Sequence, residues 1–255
     1  MIEVINPAKW SEVVGRVPAC SEADVDRVLD QTQSAFRSWS RTTADERASR
    51  LRDAARDLRN ALPELATLYV RENGKPLREA EIDIRRSIEL MEIIAADLPE
   101  WSKAEVIDPQ QPVWARRRAR GVTAVISPWN SPVLLSLKRF VPAIASGNTA
   151  VVKPATYCPL AITECVRIIN RHLPNGVLGV VTGSGAVIGE KDERPARRER
   201  RALFLRLRDD TCAVRLDGQH VPDPRDEYRA NQDDGPRRRS TVTTTAVTHS
   251  SSCRP

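Results

Sequence analysis

No run of about 18 apolar residues occurs anywhere in this chain, and Met1 to Pro7 shows no basic start leading into an apolar stretch. The sequence therefore offers neither a membrane-crossing helix nor a signal peptide, and a soluble, cytoplasmic protein without a membrane partner is expected. Cys-x-x-Cys pairs are also missing. The five cysteines, Cys20, Cys158, Cys165, Cys212 and Cys253, are odd in number and scattered, which argues against a disulfide framework and a zinc site. They are read as free thiols, and no metal is expected. Apolar residues are scarce at one end only. Residues 191–255 hold 9 Leu, Ile, Val or Phe against 15 Lys+Arg and 11 Asp+Glu. That share is below the level of about one-fifth at which a charged segment usually builds a core. The first 190 residues hold 25 basic and 23 acidic side chains, so most of the net charge of +6 sits in the tail. Two regions are expected: residues 1–190 folded, and residues 191–255 a basic, disordered tail. Arg197, Arg198, Arg200, Arg201 and Arg237 to Arg239 are interleaved with acids and almost no aromatic residues, which fits a solvated tail better than a nucleic-acid surface. No nucleic-acid partner is expected.

What is present up to Glu190 is strongly patterned. Ser21 with Asp24 opens a stripe of Val25, Val28, Leu29, Thr32, Phe36 and Trp39 at helical spacing. Thr43 with Glu46 repeats the capping signature before Leu51, Ala54, Ala55, Leu58 and Leu62, with Arg47, Arg50, Arg52 and Arg56 on the wet side. A third helix is expected from Pro63 to Glu72, a break at Asn73-Gly74-Lys75-Pro76, and a fourth helix from Arg78 to Asp97. Residues 20–98 thus read as helical throughout. From about residue 112 to 190 the texture is α/β: strands at Gly121–Ile126, Thr149–Val152 and Val177–Val181 alternate with helices at Leu134–Ser146 and Pro159–His172. A glycine-rich turn at Thr182–Gly189 then opens a further helix. Successive strand–helix units predict a right-handed parallel sheet of the doubly wound kind, with loops at the strand C-termini lining one crevice.

Four strings carry a more specific signal: ENGKP at 72–76, SPWNSP at 127–132, GNT running into VVKPA at 147–155, and PNGVLGVVTG at 174–183. In their order and spacing they resemble the NAD(P)-dependent aldehyde dehydrogenases over about residues 1–190. The resemblance implies an α/β fold with N-terminal helices and a partial doubly wound, Rossmann-like parallel sheet. It implies aldehyde oxidation to the carboxylic acid, with NAD or NADP as cofactor and an aldehyde as small-molecule partner. Asn130 matches the oxyanion-hole asparagine, whose amide donates to the aldehyde oxygen as charge builds there, an interaction worth about 3 kcal/mol in such sites. A plainer role for Asn130 is to cap the helix that Pro132 begins. Ile126, Ser127, Pro128 and Trp129 match the backbone segment lying along the cofactor; Trp129 is equally readable as a core aromatic. Lys153 matches the lysine that binds the adenosine ribose hydroxyls, against the alternative of an ordinary surface lysine. Thr156 stands where many NAD-preferring relatives carry a glutamate that repels a 2′-phosphate. Gly183, Gly185 and Gly189 match the loop and helix start beside the adenine and pyrophosphate, where missing side chains let the backbone approach phosphate.

The resemblance stops after Gly189-Glu190. In that family a cysteine attacks the aldehyde and a glutamate activates the water that releases the acid. Neither surrounding is found: Cys212 follows Asp209-Asp210-Thr211, and Cys253 lies two residues from the end. The expectation is a truncated, inactive copy, with a non-catalytic nucleotide-binding or regulatory remnant as the alternative. Oligomerisation is not expected, because the family's pairing hairpin has no counterpart here. Limited proteolysis is expected to trim residues 191–255 first, since that segment cannot bury enough apolar surface to offset its conformational entropy. A resistant core extending past about residue 230 contradicts that entropy argument.

Overall fold

The computed structural model describes residues 1–108, 113–115 and 117–185. Gly189 and the tail expected to be disordered lie outside them. The first element is one the sequence pattern did not reveal. β1 (Ile2–Asn6) and β2 (Lys9–Val17) form an antiparallel hairpin turned by the Asn6 side chain, whose Oδ1 accepts the Ala8 N–H at 2.9 Å. Val4 and Val17 are buried, whereas Ile5, Trp10 and Val13 are exposed, so the alternation that marks a strand is faint here.

Four helices follow. In α1 (Glu22–Trp39), Ser21 and Asp24 form a reciprocal capping box, and in α2 (Ala44–Asn60) the Thr43 side chain accepts the Glu46 N–H at 3.1 Å. α3 (Leu62–Asn73) begins one residue before Pro63, which occupies the first turn where a missing N–H costs little. α4 (Leu77–Trp101) runs past the expected stop at Asp97 and carries Pro99 in its last turn. Pro99 has no N–H for the Ala95 carbonyl, and Arg52 Nη1 approaches that oxygen at 3.5 Å instead. Arg47 is a correction to the wet-face reading of α2. It is only 7% exposed, and its guanidinium donates to Ala145 O at 2.7 Å and to Thr42 O at 2.5 Å.

A second hairpin, β3 (Glu105–Asp108) with β4 (Val113–Ala115), is antiparallel and starts earlier than the expected β texture. The doubly wound part then appears as expected. β5 (Val122–Ile126), β6 (Thr149–Lys153) and β7 (Leu178–Val180) are parallel and adjacent in chain order, linked by α5 (Pro132–Ala145) and α6 (Leu160–Ile169). Both faces of this sheet are covered. Ala150 and Val152 of β6 join the large core with Phe140 and Ile144 of α5 and Ile162 and Ile169 of α6, while Val151 between them joins Val25 and Leu29 of α1. Helices α2, α3 and α4 pack outside α5 and α6. Two buried donors close the C-terminal end of α5, where carbonyls lack helical partners: Trp39 Nε1 to Ile144 O at 2.9 Å, and Arg47 Nε to Ala145 O.

α1 lies close on the sheet because Gly179 presents no side chain. A Cβ there would sit 2.7 Å from Val28 Cγ1 and 3.3 Å from Thr32 Oγ1. Gly179→Ala is therefore expected to lower stability by about 1–3 kcal/mol, the usual cost of overpacking. Adding Val28→Ala should recover part of that loss, read from denaturant midpoints of the single and double variants. An unshifted midpoint for Gly179→Ala would mean that α1 is free to ride outward.

Candidate functional site

The C-terminal ends of the three parallel strands meet at one edge, where Ile126 is paired with Lys153 in the ladder and Ser127 N donates to Lys153 O at 3.0 Å. The loop leaving β5 is held from inside. Ser127 is buried, and its hydroxyl donates to Pro132 O at 3.1 Å, folding the segment back over the first turn of α5. Pro128 is half-buried and Asn130 is exposed. The capping alternative for Asn130 is not what the structure adopts: Ser131 occupies the N-cap of α5, and it makes no side-chain cap bond. The core-aromatic reading of Trp129 is likewise corrected. Its side chain is 66% exposed, and its carbonyl accepts from Asn73 Nδ2 at 2.8 Å and Cys158 Sγ at 3.4 Å.

Lys153 departs from a surface lysine. It is 8% exposed, and among the described residues its Nζ reaches only a neutral acceptor, Pro154 O at 3.1 Å. Burial accordingly lowers its pKa from the ordinary lysine range. Thr156 Oγ1 donates to Gly183 O at 3.1 Å, joining the loops after β6 and β7. Gly183 has φ +149, a conformation that a side chain would strain, and a Cβ on Gly185 would meet nothing within 4 Å among the described residues. The neighbouring Thr182 anchors the edge to the entry of α1 through Pro18 O at 2.6 Å.

Sequence reasoning ended a helix at Glu72, treated residues 73–76 as a break and missed what each of these residues does. Glu72, 3% exposed, accepts the N–H groups of Leu160 and Ala161, both at 2.7 Å, and so caps α6, whose own N-cap residue Pro159 has no side-chain cap. Asn73 holds the Trp129 carbonyl next to Asn130. Gly74 ends α3 in the left-handed conformation at φ 82. Lys75 pairs with Asp83 at 2.5 Å and lies 4.6 Å above the Tyr69 ring. The string itself was the available signal, since it had already been singled out. A cleft of about 560 Å³ opens between these residues and the β1–β2 hairpin, lined among others by Glu72, Asn73, Trp129, Thr156 and Cys158. Two of the thiols are buried, and burial pushes Cys158 up to about 11 and Cys165 further still. No group of side chains suited to a metal ion occurs among the described residues. No helix among them is long and apolar enough to cross a membrane.

Comparison with known proteins places this geometry. A family model described as "Aldehyde dehydrogenase family" matches residues 1–192, ending beside the boundary read from the sequence. A 2,5-dioxopentanoate dehydrogenase of Saccharolobus solfataricus is 33% identical over 189 residues, covering 73% of this chain and 40% of that protein. The glyceraldehyde-3-phosphate dehydrogenase of Methanocaldococcus jannaschii, solved in complex with NADP, superposes with a TM-score of 0.68 at 30% identity, over 74% of this chain and 42% of that one. An NAD-dependent benzaldehyde dehydrogenase from Corynebacterium glutamicum gives a TM-score of 0.68 at 31% identity, over 73% and 41%. The match thus spans about two-fifths of the length of each relative.

Glu72 provides a test of the site's scaffold. Burial outweighs its two N–H donors and raises its carboxyl from 4.5 to about 7. A raised folded-state value means that the folded chain holds the proton more tightly than the unfolded chain. The carboxyl's stabilisation is therefore complete below about pH 4.5 and is lost as pH rises through about 7. The stability difference between wild type and Glu72→Gln, measured by urea unfolding, should shrink over that interval; growth instead would mean that the helix end prefers the carboxylate. Glu72→Ala orphans two buried N–H groups and should cost about 1–3 kcal/mol for each.

Proposed function

Because the chain belongs to the aldehyde dehydrogenase family, we propose that it forms the part of an aldehyde-oxidising site that holds NAD or NADP and presents Asn130 to the aldehyde carbonyl. One observation carries this reading: a buried ammonium, Lys153, stands at the C-terminal end of the central strand with a backbone carbonyl as its only hydrogen-bond partner among the described residues. A buried charge without an ionic partner is costly, and ribose hydroxyls reaching it would supply the missing acceptors. The surrounding residues fit such a group. The chain from Ile126 to Trp129 offers backbone along it, and Gly183 and Gly185 bring no side chain to the turn that a phosphate would approach. Bound there, the dinucleotide supplies an acceptor for hydride. Thr156 is neutral, and its hydroxyl is directed to Gly183 O, so no carboxylate repels a 2′-phosphate. Asn130, exposed and outside the helix cap, is free to donate its amide to a carbonyl oxygen on which negative charge develops.

Cys158 and Cys165 do not suit the covalent step, since a nucleophile needs its thiolate and burial raises both, Cys158 to about 11. Cofactor binding and turnover are therefore expected to separate in the 255-residue chain. Calorimetry should show NADP binding at least as tightly as NAD, and Lys153→Met should weaken both by about tenfold, consistent with losing a charge-assisted contact. A strict NAD preference sinks the Thr156 argument, and unchanged affinity in the methionine variant sinks the lysine's role. Incubation with aliphatic and aromatic aldehydes is expected to form no NADH or NADPH. Turnover above a blank, lost on Cys212→Ala or Cys253→Ala, would place a tail thiol at the site.

A further inference from the structure

At the opposite end of the sheet, where β5 and β6 begin, lies a second and larger cleft of about 990 Å³. It is lined by Arg41, Arg47, Arg117 and Arg118, together with Trp101, Ser102 and other neutral residues, and no Asp or Glu lines it among the described residues. Four guanidinium groups without an acid between them repel one another, an arrangement that a folded chain gains nothing from when empty. Arg47 makes the case stronger than a basic surface patch. It is 7% exposed, and its hydrogen-bond partners are Ala145 O, Thr42 O and Thr42 Oγ1, all neutral; the one acid acting on it, Glu46, lies outside the cleft lining and is paired with Arg50, so burial outweighs the compensation. These bonds also fix the guanidinium in one orientation. Arg41 and Arg118 are exposed and have no carboxylate partner among the described residues, while Arg117 pairs loosely with Glu105 at 3.9 Å and donates to Trp101 O at 3.2 Å. The wall behind them is rigid: Asn148 Oδ1 accepts the N–H groups of Arg120 and Gly121 at 2.6 and 3.1 Å, tying the approach to β5 to the turn before β6.

We infer that this cleft binds a compact phosphate-bearing polyanion, with Arg47 as its buried positive floor and Arg41, Arg117 and Arg118 closing over it. Planar guanidinium groups pair with phosphate oxygens through two parallel N–H donors, and several of them converging in a concave site discriminate a diphosphate from a single charge. The volume suits a small ligand. The site is separate from the cofactor edge, because it lies at the strand N-termini and shares no lining residue with the cleft beside Trp129.

Inorganic pyrophosphate is the probe, titrated into the full chain by calorimetry at physiological salt. Saturable binding to one site is expected, weakened by about tenfold or more in Arg117→Ala/Arg118→Ala, which removes two exposed side chains and should leave the thermal midpoint in place. Lys153→Met should leave this binding intact, because that residue belongs to the other end of the sheet. The control is Arg85→Ala/Arg86→Ala, which removes the same charge from the exposed side of α4. The inference is overturned by absence of saturable binding, by equal weakening in the control, which marks diffuse charge attraction, or by loss on Lys153→Met with survival in Arg117→Ala/Arg118→Ala, which moves the pyrophosphate to the cofactor edge.

Discussion

A strand covered on both faces has no wet side on which to carry a charge, yet β6 ends in Lys153. The rest of the molecule follows from that constraint. All five residues of β6 are buried, and their alternation sends Val151 toward α1 and Ala150 and Val152 toward α5 and α6, so two separate cores grow from one strand. With every lateral position taken, a polar group on this strand can stand only at its tip. Lys153 is there, buried, with its ammonium on the Pro154 carbonyl at the start of the loop that leaves the strand. Close approach of α1, permitted at Gly179, seals one side, and the end of α5, closed by Trp39 and Arg47, seals the other.

The segment from Glu72 to Pro76 joins the helical layer to that edge. Glu72 reaches out to complete α6, Asn73 steadies the carbonyl beside Asn130, Gly74 turns the chain, and Lys75 locks the turn against Asp83 and Tyr69. Their bonds go to a helix end, a loop carbonyl and one another, so they set the shape of the loops. They explain how loops that project from strand ends hold a defined shape without regular structure of their own.

Legibility in the sequence tracked local chemistry. Ser21 with Asp24 and Thr43 with Glu46 declared two helix starts, and those starts were read correctly because caps act within one turn. The three parallel strands were equally plain, being apolar runs bounded by glycine turns. The β1–β2 hairpin was not legible, since Ile5, Trp10 and Val13 face outward and leave Val4 and Val17 as the buried signal. Arg47 looked like its neighbours Arg50 and Arg52 on the wet side of α2, and nothing local said that a carbonyl at the end of α5 was waiting for it. Trp129 failed for the same reason: an aromatic beside a buried strand reads as core until the loop's direction is known. Around the candidate site, the lysine and the glycine turn stood where a parallel sheet places ligands, whereas the work of Glu72 depended on a partner 88 residues away.

That separation has a consequence for the order in which the chain assembles. Helix α6 begins after a proline and has no side chain of its own to occupy its first N–H groups, so as a nascent segment it is an open-ended helix of 10 residues, too short to persist alone in water. Its start is completed only when the end of α3 has docked, which closes a loop of 88 residues, nearly half of the described chain. Contacts of such long sequence separation form late, after local helices have already paired. The last described strand, β7, follows α6 in the chain, so the third rung of the sheet waits on a carboxyl group delivered from the helical layer.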